Sequence, residues 1–522
     1  MLSVMRIVIF YDRRRQVKKY KQRFFVLQLK HSALFAFPAL CGGIFWGVLS
    51  KSAAVSGFIK ETSMFFEQIT TPGLGCFSYL IGCPVAGVMA VVDPKRDIDE
   101  YVRLSREYGM KITHIFDTHV HADHISGARE LCRATGAKIY IHESAPVGYT
   151  AEKLKHGDTF TFGPAHIRVL HTPGHTPNSI SLVVTDTARS LEPQMILTGD
   201  LLFVGDTGRP DLPGEDILQE QIQNLFDSLN TTLGDLPDGL EVYPAHGQGS
   251  LCGGGMSAKP HSTLGYERKA NPRLQLKSFE EFSKSIMSFL PMRPQSFSHI
   301  IASNLEGAPF LPTCEESLPA LSVNDFPKLR EEGALVLDLR DSLAFCAAHI
   351  PGSIHVDANK APAPNWVGTV VAPTERLLLV LDKDADFADR RTVLRRIGYD
   401  KVLGWLKGGM AAWLEAAQPV RGLPMISAQD LELRLRGDTP PLVVDVRTEQ
   451  ELARFAIPGS LHLGFDALLP HSACPVKANA ETLVVCQTGY RSAIAASLLL
   501  ARGCDNVSVL AGGLGPLQSK KK

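Results

Sequence analysis

The 522-residue chain carries no net charge, 54 Lys and Arg balancing 54 Asp and Glu. That balance offers nothing to a polyanion, so no nucleic-acid partner is expected. The chain also lacks any CxxC pair, and its ten cysteines are scattered without a regular framework. This argues against a disulfide scaffold and fits a reducing compartment, so a cytoplasmic location is expected. No apolar run is followed by a tidy small-residue cleavage site. The nearest is Ala33 to Leu49, 17 residues holding Pro38 and a Gly42-Gly43 pair, after nine Lys or Arg against one Asp in residues 6 to 30. Such a stretch could be a signal sequence or short membrane anchor, giving an anchored or exported protein. The plainer reading starts translation at Met64, where Phe65-Phe66-Glu67-Gln68-Ile69 reads as a first strand. Membrane contact is expected only if residues 1–63 are present.

What is present is a globular composition, 45% apolar and 21% charged, at a length suited to about three domains. From Met64, short strands with Gly/Pro turns (Phe65 to Ile69, Cys76 to Ile81, Val88 to Val92) lead to a helix through Ile98 to Tyr108, closed by Gly109. After the strand-like run Thr113 to Asp117 comes Thr118-His119-Val120-His121-Ala122-Asp123-His124. Strand alternation would put His119 and His121 on one side, with Asp123 and His124 opening a helix, Ile125 to Thr135, closed by Gly136. Imidazoles and carboxylates converging at a strand end are what a divalent metal needs. Further candidates each follow a strand-like run: His175 in Thr172-Pro173-Gly174-His175, Asp200 in Leu197-Thr198-Gly199-Asp200, and His246 in Tyr243-Pro244-Ala245-His246.

This set resembles the metallo-β-lactamase superfamily. A Pro-bearing segment, 291–319, then reads as a linker, and beyond it the chain repeats at an offset near 105 residues. Val336-Leu337-Asp338-Leu339-Arg340 returns as Val443-Val444-Asp445-Val446-Arg447, and Ile350-Pro351-Gly352-Ser353 as Ile457-Pro458-Gly459-Ser460. These blocks resemble rhodanese domains. In the second copy Cys486-Gln487-Thr488-Gly489-Tyr490-Arg491-Ser492 follows a strand and precedes a helix, so its backbone N–H groups would cradle an anion. Cradle and Arg491 together are expected to favour the Cys486 thiolate and stabilise a persulfide on it. The first copy has Leu381-Asp382-Lys383-Asp384 there and no cysteine; Cys346 lies upstream and reads as core. It is expected to be inactive and structural, positioning the outer domains. The expected class is a multidomain α/β and α+β chain: a metallo-β-lactamase αββα sandwich (64–290), a linker (291–319), and two rhodanese-like α/β domains with parallel sheets (320–420 and 424–518).

Three chemistries fit. A glyoxalase II-type thioesterase would use every ligand to hold two Zn or mixed metals. A persulfide dioxygenase would hold one Fe(II) by two His and one Asp with positions left open. A sulfur-binding or sensing protein would carry a structural metal. The rhodanese loop handles persulfide sulfur and favours the second. Gly205-Asp206-Thr207-Gly208-Arg209-Pro210-Asp211 likewise resembles the persulfide dioxygenase pattern around its Gly-Arg-x-Asp, and His246-Gly247-Gln248-Gly249-Ser250-Leu251-Cys252-Gly253 resembles the loop of dioxygenases fused to rhodaneses. That resemblance implies iron ligands His119, His175 and Asp200, with His121, Asp123, His124 and His246 around them or forming a second metal site. Arg209 would contact an anionic substrate or pair with Asp211, and Cys252 would relay sulfur or merely fill its loop. Gly489 and Ser492 complete the substrate contacts. Implied partners are a persulfide of glutathione, coenzyme A or a similar thiol, O2, and sulfite or thiosulfate. A homo-oligomer is compatible with this reading.

Overall fold

The computed structural model describes residues 63–515 apart from 289, 291, 313–317, 361 and 475. The basic and apolar extension discussed above lies outside the described residues. Among them, no helix is long and apolar enough to cross a membrane.

Two six-stranded sheets form the centre of the N-terminal half. The first runs in chain order from Phe65–Thr71 to Glu152–Leu154, starting antiparallel and becoming parallel after Val88–Val92. The second begins at Thr159–Phe162 and ends at Ser262–Thr263. Alternation assigns the layers. Tyr79, Ile81 and Val92 of the first sheet meet Leu182, Val184 and Leu197 of the second in the buried centre. Their neighbours Leu80 and Val91 face the outer helices through Leu104 and Leu131, and Val183 and Ile196 do the same with Ile222 and Phe282. The result is the expected αββα sandwich.

The repeat folds as two five-stranded parallel sheets of identical order. In the first, Ala320–Leu321, Val402–Leu406, Leu377–Val380, Leu335–Asp338 and Ile354–His355 lie side by side. The second matches it with Met425–Ile426, Val507–Leu510, Thr482–Val485, Leu442–Asp445 and Leu461–His462. Nearly unbroken apolar strands such as Leu377–Val380 are buried on both faces, as parallel sheets require. The domains are not strung as beads. One apolar core takes in Leu74 and Ile125 of the sandwich, Leu337 and Leu379 of the first copy, and Val444 and Val484 of the second.

Two local expectations change. The helix after the His-rich motif starts at Ala128, not Ile125. Ser126 bridges to Lys95 instead, and Gly127 runs so close to that segment that a Cβ would lie 2.0 Å from the Lys95 carbonyl oxygen. Asp123 and His124 therefore sit in a loop. Within the segment read as a linker lies an 11-residue helix, Ser296–Glu306, packed on the sandwich.

Candidate metal centre and sulfur-transfer loop

Every candidate ligand leaves the C-terminal end of a strand. The strand before the motif ends at Phe116, those before Asp200 and His246 at Gly199 and Pro244, and His175 follows the turn after Ala165–His171. Because the first of these stops at Phe116, strand alternation does not reach His119 and His121. His121 turns its Nε2 to Asp93 Oδ1 at 3.1 Å, in a buried group with Asp117, while its ring lies 4.3 Å from that of His119.

Four atoms of the candidate ligands are buried without a hydrogen-bond partner, His119 Nε2, His121 Nδ1, His175 Nε2 and Asp200 Oδ2, and all but His121 Nδ1 fall in one group. Asp200 Oδ2 lies 3.8 Å from His119 Nε2 and 3.4 Å from His175 Nε2. A partnerless buried polar atom costs about 1–3 kcal/mol, so three aimed at one point fit a cation that the chain itself does not supply.

The opposite edge of each ligand is anchored. Thr118 Oγ1 donates to Asp93 Oδ2 at 2.8 Å and so accepts from His119 Nδ1 at 2.9 Å, leaving the Nε2 lone pair free. Asp93 holds this position in the left-handed region, at φ +50°. His175 Nδ1 donates to the Arg209 carbonyl at 2.7 Å, again freeing Nε2. Burial holds both imidazoles below their ordinary pKa, His119 well below it, which keeps them in the neutral ligand form. His246 spans Asp200 Oδ1 at 2.5 Å and Asp123 Oδ2 at 2.8 Å, so only Oδ2 of Asp200 is left over. Burial would raise Asp200, but the imidazoles of His246 and His175 outweigh it and hold the carboxylate low.

A second buried group adjoins the first: Cys76, Asp123, His124 and His246. The Cys76 thiol donates to Asp123 Oδ2 at 3.1 Å, and His124 Nδ1 lies 3.1 Å from Oδ1. Sequence reasoning passed over Cys76, Asp93 and Thr118; the only hint was Cys76 opening a strand, whose pairing with His246 is set by the fold.

The remaining candidates take definite places. Arg209 is 4% exposed and grips Asp211 through two 2.7 Å bonds, so it forms the salt bridge and its carbonyl orients His175. Gly208 is needed beside it, since a Cβ there would lie 1.9 Å from the Asp200 carbonyl oxygen. Cys252 is buried near His246, and burial, then Asp200, push its thiol well above the ordinary range.

The loop bearing these ligands is gripped from the C-terminal half. Asn304, on the helix Ser296–Glu306, donates to the carbonyls of His121 and His124 at 2.9 and 2.8 Å and accepts from Ser126 N at 3.0 Å. Ile125 N donates 2.7 Å to the carbonyl of Arg396, in the first rhodanese-like copy. The Arg396 guanidinium pairs with Asp97 at 2.6 and 2.7 Å, and Arg96 returns the contact to Asp400 at 2.7 and 2.9 Å.

In the second copy the Cys486 Sγ is fully buried and accepts from Gly489 N at 3.1 Å and Ser492 N at 3.3 Å, the expected cradle. Gly489 adopts φ +91°, which turns the chain into the helix Tyr490–Ala501. The Arg491 guanidinium is held by both Glu451 oxygens, at 2.7 and 2.6 Å, and lies close enough to Cys486 for the two to interact electrostatically. Burial would raise Glu451, but these bonds bring it down to about 2. In the first copy strand register puts Leu381 where Cys486 stands, and the Asp384 carboxylate accepts from Gly408 N at 3.1 Å.

Comparison with known proteins agrees. Residues 71–246 match the metallo-beta-lactamase superfamily, and residues 322–416 and 427–519 each match the rhodanese-like domain family. A metallo-beta-lactamase structure from Staphylococcus aureus subsp. aureus COL shares 30% identity and a TM-score of 0.59, covering 66% of this chain and 99% of its own. The chain thus belongs to the metallo-beta-lactamase superfamily and carries two rhodanese-like domains behind that fold. The protein named persulfide dioxygenase ETHE1, mitochondrial, from Homo sapiens is 28% identical over 262 residues, 48% of this chain and 91% of that protein. A hydroxyacylglutathione hydrolase from Polaromonas sp. (strain JS666 / ATCC BAA-500) is 32% identical over 173 residues, 33% of this chain and 61% of its own. Fold and relatives together imply a bound metal.

Proposed function

We propose that this chain oxidises a low-molecular-weight persulfide with O2 to sulfite and thiol, and that Cys486 transfers sulfane sulfur to or from the products. The observation that carries the first half is the convergence of His119 Nε2, His175 Nε2 and Asp200 Oδ2, all buried and partnerless. Two neutral imidazoles and one carboxylate are the donor set of a non-haem Fe(II) centre with positions left open. Iron bound there would supply the binding and activation of O2 and persulfide.

The chain's own groups do the rest. Thr118 with Asp93, and the Arg209 carbonyl, fix which imidazole nitrogen is bare. His246 holds one oxygen of Asp200 and leaves the other free. Arg209 is spent on Asp211, so it acts by keeping this wall in place. Overall, RSSH, O2 and water give RSH, sulfite and two protons. Cys486 accepts sulfane sulfur within its N–H cradle, and the resulting persulfide anion meets the donors that now hold the thiol. Attack by sulfite on the outer sulfur releases thiosulfate and restores the thiolate. The reverse step charges Cys486 from thiosulfate. Tethering the two sites raises the local sulfite concentration.

The test is metal content together with oxygen uptake when glutathione persulfide is added to the anaerobically purified protein. About one iron per chain with uptake and sulfite or thiosulfate formation is expected. Two zinc or mixed metals, no uptake and cleavage of S-lactoylglutathione would instead assign a thioesterase, with the Cys76, Asp123, His124 and His246 group as its second metal site.

A further inference from the structure

Two cysteines that neither site uses face each other in the second rhodanese-like domain. Cys474 lies beyond the 3-10 turn Phe465–Leu468, and Cys504 follows the helix Tyr490–Ala501. Their Sγ atoms are 3.7 Å apart, and both approach the Val476 carbonyl, at 3.4 and 3.9 Å. Cys474 is exposed and Cys504 is 2% exposed. The two segments are strapped together by Arg502, which donates to the carbonyls of Leu469 at 3.0 Å and Ser472 at 2.5 Å. A disulfide bond of about 2.05 Å therefore needs an approach that side-chain rotation at the exposed partner can supply.

We propose that Cys474 and Cys504 form a second thiol site, a dithiol that small persulfides oxidise to a disulfide with release of hydrogen sulfide. The thiolate is the attacking form, and burial, then Cys474 itself, push the Cys504 thiol up to about 11. Attack falls to Cys474, the exposed member of the pair. Its thiolate takes the outer sulfur of R–S–S–H; the S–S bond breaks and RS⁻ leaves, to be protonated to RSH. Cys504 then attacks Sγ of Cys474, forms the disulfide and expels the sulfane sulfur as hydrosulfide, which carries off the second thiol proton. One persulfide and two thiols become one thiol, one hydrogen sulfide and one disulfide. The persulfide is the oxidant, so no other is needed. The bond would fasten the C-terminal end of the helix whose first turn cradles Cys486.

The test treats the full-length chain, under anaerobic conditions that prevent oxygenation, with glutathione persulfide and, separately, with diamide. Non-reducing peptide mass spectrometry and sulfide release are the readouts. A Cys474–Cys504 linked peptide in both arms, reversed by dithiothreitol, is expected. The persulfide arm should release about one hydrogen sulfide per chain beyond that from Cys474→Ser. Cys474→Ser changes an exposed residue, and alkylation mapping of the unmodified sequence covers the case in which a Cys504 variant fails to fold. Both thiols remaining alkylatable, or sulfide release unchanged in Cys474→Ser, would overturn the proposal. Closure by diamide but not by persulfide would overturn the assigned substrate. None of these outcomes depends on oxygen uptake at the metal centre.

Discussion

The two rhodanese-like copies bury the same ion pair in the same way. Asp338 and Arg340 in the first, and Asp445 and Arg447 in the second, join through both carboxylate oxygens, and each arginine also reaches the carbonyl of a residue eight positions on. Frame and register are shared; what differs is the work of the loop and of the following helix. Where Cys486 sits in a ring of N–H groups, Leu381 is buried, and the Asp384 carboxylate takes up a backbone N–H. The end of the first copy's helix Phe387–Arg396 is pressed against the metal loop, while the matching end in the second copy is tied to its own chain by Arg502. Tyr399, bonded to the Val371 carbonyl at 2.6 Å, occupies the place of Cys504. The copy that lacks the loop cysteine lies instead against the loop that carries His119.

That contrast can be broken most sharply at the two centres. Cys486→Ser should abolish thiosulfate:thiol sulfurtransfer and leave oxygen uptake intact, and His119→Ala should do the reverse, with iron lost. Assaying both activities on each variant checks this, and loss of both in a folded variant counts against separate sites. Next come the buried pairs. Asp338→Asn and Asp445→Asn each strand a buried arginine, at about 3–5 kcal/mol, read in denaturant unfolding. Asp338→Asn should lower iron retention more than Asp445→Asn, since the first copy bonds the metal loop through the Arg396 carbonyl. A milder cut is Arg396→Ala, expected to weaken iron binding roughly tenfold, as loss of outer partners of a metal site does. The exchange Asp97→Arg with Arg396→Asp should recover part of this, measured by metal competition.

The smallest effect concerns Arg491. Glu451→Gln should release it toward an anionic donor and lower the KM for thiosulfate by roughly two- to threefold. Glu451 sits at about 2 when folded against an ordinary 4.5, so the pair's full contribution is present above pH 4.5 and declines as the pH falls toward 2. A thiosulfate KM that does not differ between the two proteins at pH 7 would leave Arg491 with a purely structural part.

The motif, the strand ends bearing Asp200 and His246, and the repeat were legible because each is local: a period, a spacing, a loop of fixed pattern. What escaped was set by distance along the chain. Cys76 meets Asp123 across 47 residues, and Asp97 meets Arg396 across 299. Nothing in either neighbourhood reports such a meeting. The run from Ile125 to Thr135 is amphipathic in sequence, but the helix starts at Ala128 because the Ile125 N–H goes to the Arg396 carbonyl. The loop pattern places Arg491 beside the sulfur; what it does not report is Glu451, 40 residues earlier, whose carboxylate also holds that guanidinium.

The grip on Ile125 bears on the order in which this protein is made. The candidate ligands His119, His175, Asp200 and His246 are all in place by residue 246, yet the loop that carries His119 is closed by Asn304 and by the carbonyl of Arg396, 150 residues beyond His246. At typical synthesis rates that interval is on the order of ten seconds, so the loop reaches these contacts only after the helix ending at Arg396 has been made.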